Sequence, residues 1–155
     1  MKKGYASASS LIHAPAAHVY SILADYHQGH PAIVPKKYFR KVEVEEGGRG
    51  AGTKLLVEMR VMGSTYVSHH VVSEPEPGRV LLEENTDCST KTTFTVDPNP
   101  GGATCTLRIE TEFSTRPGIL GSIQRAVTRS VLVKIYKEEL GNIKRYVGEA
   151  SRLSQ

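Results

Sequence analysis

The feature that most constrains this chain is its C-terminal end, where the residues from about Pro117 to Arg152 read as one helical stretch of more than thirty residues. The opposite end offers a short strand-like run followed by Pro15-Ala16-Ala17-His18-Val19-Tyr20-Ser21-Ile22-Leu23. Between the two ends lies continuous strand and turn signal. One long helix closing over a curved antiparallel sheet leaves a hollow between them, and a hollow suggests a ligand.

The segment Tyr5 to Ile12 alternates loosely and stops at Ala14-Pro15, which predicts a strand. Pro15 then suits the first turn of a helix, where its missing N–H is no loss. Val19, Ile22, Leu23 and Tyr26 follow at helical spacing, and a His/Gly/Pro cluster after Asp25 ends that helix. A second short helix is expected around Ala32 to Val34, between Pro31 and Pro35. Strands follow at Tyr38 to Glu46, Thr53 to Met62, Thr65 to Glu74, Arg79 to Thr86, Thr90 to Val96 and Thr104 to Phe113, separated by Gly- and Pro-rich turns such as Pro75-Glu76-Pro77-Gly78. Short turns make neighbouring strands pair antiparallel. The predicted class is α+β: a seven-stranded curved antiparallel sheet wrapped around a long C-terminal helix, with two short helices after the first strand.

On that helix Leu120, Ile123, Val127 and Val131 share one stripe, whereas Leu140, Ile143 and Val147 sit nearly opposite. A helix buried on one side throughout does not do this. Either it bends near Ser130, or its first half faces one surface and its second half another; the second is favoured for a helix crossing a curved sheet.

Size predicts a single domain over residues 1–155. With 39% apolar and 23% charged residues the composition is ordinary for a globular protein, and no run approaches the roughly 18 apolar residues of a membrane span. The segment after Met1-Lys2-Lys3 is too polar for the core of a signal peptide, so the cytoplasm is the default compartment. Cys88 and Cys105 are too few for a disulfide scaffold. Their places in the strand pattern put them about 20 Å apart, too far for a bridge. The net charge of +4 raises nucleic acid as a partner, but Arg125, Arg129, Lys134, Lys137, Lys144, Arg145 and Arg152 are mixed with Glu138, Glu139 and Glu149. That mixture reads as a solvated helix face, with transient membrane contact the lesser alternative. No nucleic acid is expected, since exposed aromatic platforms are missing. His27 and His30 have a plausible ligand spacing and His69-His70 are adjacent, but no Cys or carboxylate completes a set, so no metal and no cofactor are expected.

Several motifs carry a family resemblance. Ile12-His13-Ala14-Pro15-Ala16-Ala17-His18-Val19-Tyr20-Ser21-Ile22-Leu23-Ala24-Asp25-Tyr26 resembles the opening of the polyketide cyclase/dehydrase and lipid-transport branch of the START-like (SRPBCC) superfamily. Val72-Ser73-Glu74-Pro75-Glu76-Pro77-Gly78-Arg79 and Gly101-Gly102-Ala103-Thr104 resemble its hairpin turns, and Leu140-Gly141-Asn142-Ile143-Lys144 its closing helix. The resemblance covers nearly the whole chain and implies a helix-grip fold that binds an apolar or amphipathic small molecule between sheet and helix. Fold alone does not decide function.

If the helix covers the concave face, alternation points Leu55, Val57 and Met59, then Phe94 and Val96, then Leu107, Ile109 and Phe113 inward. Leu120, Ile123, Val127 and Val131 are the expected helix contributors. A pocket bordered by Met59, Tyr66, Phe94, Ile109, Ile123 and Val127 is predicted. Polar groups among them orient a ligand: Tyr66, Ser68 and His70 on one strand, Thr92 and Thr111 on two others. Either Glu83 or Glu84 faces inward, and His70 with that Glu is a candidate acid–base pair. The leading reading is a non-enzymatic carrier of a hydrophobic or amphipathic small molecule such as a lipid, acyl chain, isoprenoid or polyketide-like compound. The alternatives are a cyclase or dehydratase using the His70 pair, and a protein-interaction or chaperone-like module. A chain with no Trp and 6% aromatics favours an aliphatic ligand over stacked rings.

Overall fold

Alternating side chains and tight turns build the sheet the sequence predicts. The computed structural model describes residues 1–153, so residues 154 and 155 of the expected domain lie outside the described residues. β1 (Lys2–Ile12) leads through α1 (Ala16–Ala24) and α2 (Gly29–Ile33) into β2 (Phe39–Glu46), β3 (Lys54–Val61), β4 (Ser64–Glu76), β5 (Val80–Asn85), β6 (Lys91–Pro98) and β7 (Cys105–Thr115). The chain closes in α3 (Ile119–Leu153), an unbroken helix of 35 residues. β2 to β7 form a meander and β1 adds antiparallel to β7, so the sheet order is β1-β7-β6-β5-β4-β3-β2. This is the helix-grip architecture. The second short helix starts earlier than expected, at Gly29, because Pro31 falls in its first turn, where proline removes no needed hydrogen bond.

Period-two burial is clearest on β7, where Cys105, Leu107, Ile109, Thr111, Phe113 and Thr115 are buried and their neighbours are not. Val19, Ile22 and Leu23 of α1 and Ile135, Leu140, Ile143 and Val147 of α3 pack in the same core. Fully burying one such aliphatic side chain stabilises the fold by about 1.5–3 kcal/mol before entropy is charged against it. Both cysteines are free, Cys88 exposed and Cys105 buried.

The first half of α3 departs from the expected covering role. Leu120 is 83% exposed, Ile123 57% and Val127 44%, and only Val131 of that stripe packs on the core. The reason is polar anchoring of a different face. Arg125 donates to Thr115 Oγ1 at 2.9 Å, and Arg129 Nε donates to the Tyr5 carbonyl at 2.8 Å. Tyr5 lies on an edge strand, where a carbonyl with no partner strand needs a donor. Gly121 fixes the same seat: a Cβ there would lie 1.6 Å from the Arg116 carbonyl oxygen. With that face held, the apolar stripe turns away from the core. The helix runs unbroken, and its two halves present their apolar residues to different surroundings.

Strand register places the β3–β4 hairpin tip and the start of α3 at the same end of the sheet, since Lys2 pairs with Thr115, Lys91 with Glu112, Glu84 with Lys91 and Val71 with Glu84. At that tip Met62 and Gly63 both have positive φ, 51° and 79°, as a two-residue hairpin requires. The trough over the concave face is therefore filled at one end by α1, α2 and the second half of α3. At the other end it lies between β3–β4 and the first half of α3.

Candidate functional site

The α1–α2 corner sets the floor of the trough. Asp25 ends α1, and its Oδ1 accepts the His27 and Gln28 backbone N–H groups at 3.1 and 3.2 Å. Burial works to raise this carboxyl, but the N–H groups of Gln28, His27 and Gly29 outweigh it and hold it below the usual carboxylate range. Gly29 allows α2 to press on α1, because a Cβ there would sit 2.5 Å from the Ile22 carbonyl oxygen. The corner projects Tyr26 and His30 inward as a stacked pair, ring centroids 4.7 Å apart, with the Phe94 ring edge-on to His30 at 5.2 Å.

These rings meet two carboxyl groups. Tyr26 donates to Glu83 Oε1 at 2.6 Å. His30 Nε2 lies 3.5 Å from Glu83 Oε1 and 3.7 Å from Glu139 Oε1. Its other nitrogen, Nδ1, is 2.7 Å from the Leu23 carbonyl, which accepts only, so Nδ1 carries the hydrogen. Nε2 is left facing the two carboxyl groups. Glu139 is the more deeply enclosed of the two, its side chain 3% exposed against 15% for Glu83. Burial first, and the nearby Glu83 charge second, hold its carboxyl well above the usual range. Glu139 Oε1 is buried and has no hydrogen-bond partner among the described residues.

A second polar strand of the floor runs through Tyr136, Thr111 and Thr92. The Tyr136 hydroxyl pairs with Thr111 Oγ1, which pairs in turn with Thr92 Oγ1 at 2.8 Å. Burial pushes the Tyr136 hydroxyl up to about 12 and holds the Tyr26 hydroxyl, next to Glu83, well above its ordinary value.

Glu83 is the inward carboxylate; Glu84 points out and pairs with Lys91 at 3.6 Å. The expected His70–Glu pair is corrected. His70 bonds Ser68 Oγ at 2.9 Å, its pKa lowered chiefly by burial, while Glu83 is taken by Tyr26 and His30. The anticipated six-residue pocket is corrected too. Phe94 and Ile109 are sealed in the core, Met59 is half-buried, and Tyr66, Ile123 and Val127 are exposed. Leu55, Val57, Leu107 and Phe113 also face inward and are buried. One open groove of about 540 Å³ touches Ile123 but lies by Lys2, Gly118, Ile119 and Arg125 at the start of α3. Tyr66, Ser68 and His70 do share the concave face of β4, with Tyr66 opposite Met59 and Ser68 opposite Val57. Among the described residues no group of three or more His, Cys, Asp or Glu side chains is placed to hold a metal ion.

Sequence reading weighed His30 only as a metal ligand and Glu139 only as part of a solvated helix face, and took neither Tyr26 nor Tyr136 as a site residue. For Glu139 a signal existed: it lies four residues after Ile135 and four before Ile143, on the stripe that fills the core.

A model of the family described as polyketide cyclase/dehydrase and lipid transport matches residues 5–148. No curated protein matches the sequence. Among solved structures, the KanY protein has 24% identity and a TM-score of 0.81, with 96% of this chain and 99% of that one covered. A START superfamily protein from Mycobacterium smegmatis has 15% identity and a TM-score of 0.73, covering 95% and 99%. The Zhui aromatase/cyclase from Streptomyces sp. R1128 has 20% identity and a TM-score of 0.66, covering 99% and 97%.

Proposed function

The chain belongs to the polyketide cyclase/dehydrase and lipid transport family, a ligand-binding fold, and from that premise we propose that it binds and carries an amphipathic small molecule. The observation that supports this is the polarity gradient along the trough. Its inner end holds the buried Tyr26–His30–Glu83–Glu139 cluster, with one carboxyl oxygen unpartnered. Its outer part carries Met59 and Tyr66, paired across β3 and β4, and Val131 of α3 packs on the adjoining core. A polar head reaching Glu83 and His70 leaves an aliphatic chain against those side chains. The head gains hydrogen bonds in a site shielded from water, and the tail is removed from solvent at about 25 cal/mol per Å².

Native mass spectrometry of the purified protein, followed by solvent extraction, tests the reading. A small organic adduct is expected, and Met59→Glu, which sets a charge against the tail, is expected to lose it without lowering the melting temperature by more than a few degrees. Protein free of any adduct, or an adduct that survives Met59→Glu, sinks the carrier reading.

One observation favours a second reading, cyclase- or dehydratase-type chemistry. Glu83 accepts a hydrogen bond from Tyr26, while the neighbouring Glu139 is driven toward its protonated form. A hydrogen-bonded carboxylate beside a carboxyl held toward its protonated form is suited to supply a general base and a general acid. We take His30, 3.5 Å from Glu83, as the partner imidazole in place of His70, which bonds Ser68. Under this reading Glu139→Gln keeps the adduct but lowers turnover of a candidate substrate by about 100-fold or more.

A further inference from the structure

We propose that the open end of the trough docks on an anionic lipid bilayer, a step that rests on the carrier reading because it gives the ligand a route in and out. Two separate parts of the chain bring apolar residues to this end. Ile119, Leu120, Ile123 and Val127 lie exposed along the first turns of α3, and Met62 is 79% exposed at the β3–β4 tip. The tip position is a costly one for methionine. Its φ of 51° lies in the left-handed region, where Asn or Gly is the ordinary choice and most other side chains are strained. A bulky apolar group kept there and left in solvent has no folding rationale, whereas insertion between lipid headgroups uses it.

Charge commits the surface to an anionic partner. From Phe113 to Lys137 the chain has no Asp or Glu and carries Arg116, Arg125, Arg129, Lys134 and Lys137. Among the described residues Arg125 and Arg129 bond only neutral oxygens, those of Thr115, Arg116, Ser122 and Tyr5, and pair with no carboxylate. The nearest acid before the segment, Glu112, is already held by Lys3 at 2.7 Å. A helix segment with an exposed apolar stripe and charges of positive sign only is the form that lies in the interface of acidic membranes. The groove beside it, with Lys2 and Arg125 flanking Ile119 and Ile123, offers the same pairing of cations and apolar floor.

Flotation of the full chain with vesicles tests the proposal. Wild type is expected to float with equimolar phosphatidylcholine and phosphatidylglycerol, to stay behind with phosphatidylcholine alone, and to be released by high salt. The double variant Leu120→Asp, Ile123→Asp, altered only at exposed sites, is expected to float at least about tenfold less, and Arg116→Glu about tenfold less, with unchanged thermal melting. Native mass spectrometry of the double variant is expected to show the same adduct as wild type, so that loss of docking is read separately from loss of carriage. Wild type that floats yet holds no adduct leaves docking standing and removes the carrier reading. No flotation with either vesicle, or equal flotation with both, overturns the proposal. So does a wild-type dimer in sedimentation that the double variant dissolves, because the surface then belongs to a second copy of the chain.

Discussion

The two halves of α3 invert each other. In the first, Leu120, Ile123 and Val127 face solvent; in the second, the carboxyl of Glu139 is buried beside His30 and Glu83. Each half breaks the rule that apolar side chains go in and charged ones stay out. The contrast teaches that one continuous helix can serve two surroundings, provided polar anchors such as Arg125 and Arg129 choose which face meets the sheet. The departures from the rule lie on either side of the trough's open half, which is where function is expected to be purchased at the expense of stability.

The sharpest way to break the comparison is paired truncation. Ile143→Ala, in the buried half, is expected to cost about 3 kcal/mol in urea unfolding. Ile123→Ala is expected to stay within about 0.5 kcal/mol. A loss at Ile123 approaching that at Ile143 means the first half is packed after all.

Next in size is Tyr26→Phe. It removes the donor to Glu83 and leaves a largely buried carboxylate with only His30 at 3.5 Å, at a cost of about 2 kcal/mol. An unchanged denaturation midpoint means Glu83 finds another partner.

Glu139→Gln sharpens the buried side through pH. The folded carboxyl holds its proton more tightly than the unfolded one, so wild-type stability is full below the unfolded pKa. It falls as pH rises from about 4.5 through the folded pKa, by up to about 1.4 kcal/mol per pH unit. The Gln variant lacks this fall. Melting curves from pH 4 to 8 are expected to show the variant gaining steadily on wild type; parallel curves contradict a protonated Glu139.

The smallest effect tests the exposed side. Gly121→Ala forces the start of α3 off the Arg116 carbonyl, and with so little packed there the cost is expected to be only about 1 kcal/mol. A cooperative loss of several kcal/mol in calorimetry means that the first half is not a lightly held arm.

The strands were readable because a strand facing a core and solvent writes its geometry in a two-residue period, and Cys105, Leu107, Ile109 and Phe113 keep to it. The six-residue pocket was not, because it assumed that the Leu120 stripe faces inward. That choice depends on two arginine hydrogen bonds to β7 and β1, which no helical periodicity encodes. On β5 the Val80-Leu81-Leu82 run hides parity, so Glu83 and Glu84 stayed equivalent until Tyr26 reached one of them. Glu139 was harder to see, lying in a Lys137-Glu138-Glu139 run that resembles any solvated helix face. His30 depends on the fold of a corner with no period at all.

The pairing of β1 with β7 has a further consequence for how the chain assembles. The meander from β2 to β7 closes through hairpins whose partners are near in sequence, but Lys2 finds Thr115 only after nearly all of the sheet has been made. Such distant pairing raises contact order and slows folding. On the ribosome the first strand must wait, unpaired, until β7 emerges, and α3 later still. Ala6→Gly, on the concave side of β1, is therefore expected to speed unfolding with little change in the folding rate, whereas Leu107→Ala in β7 slows folding as well. Chevron plots in which Ala6→Gly slows folding as much as Leu107→Ala place β1 in the nucleus instead.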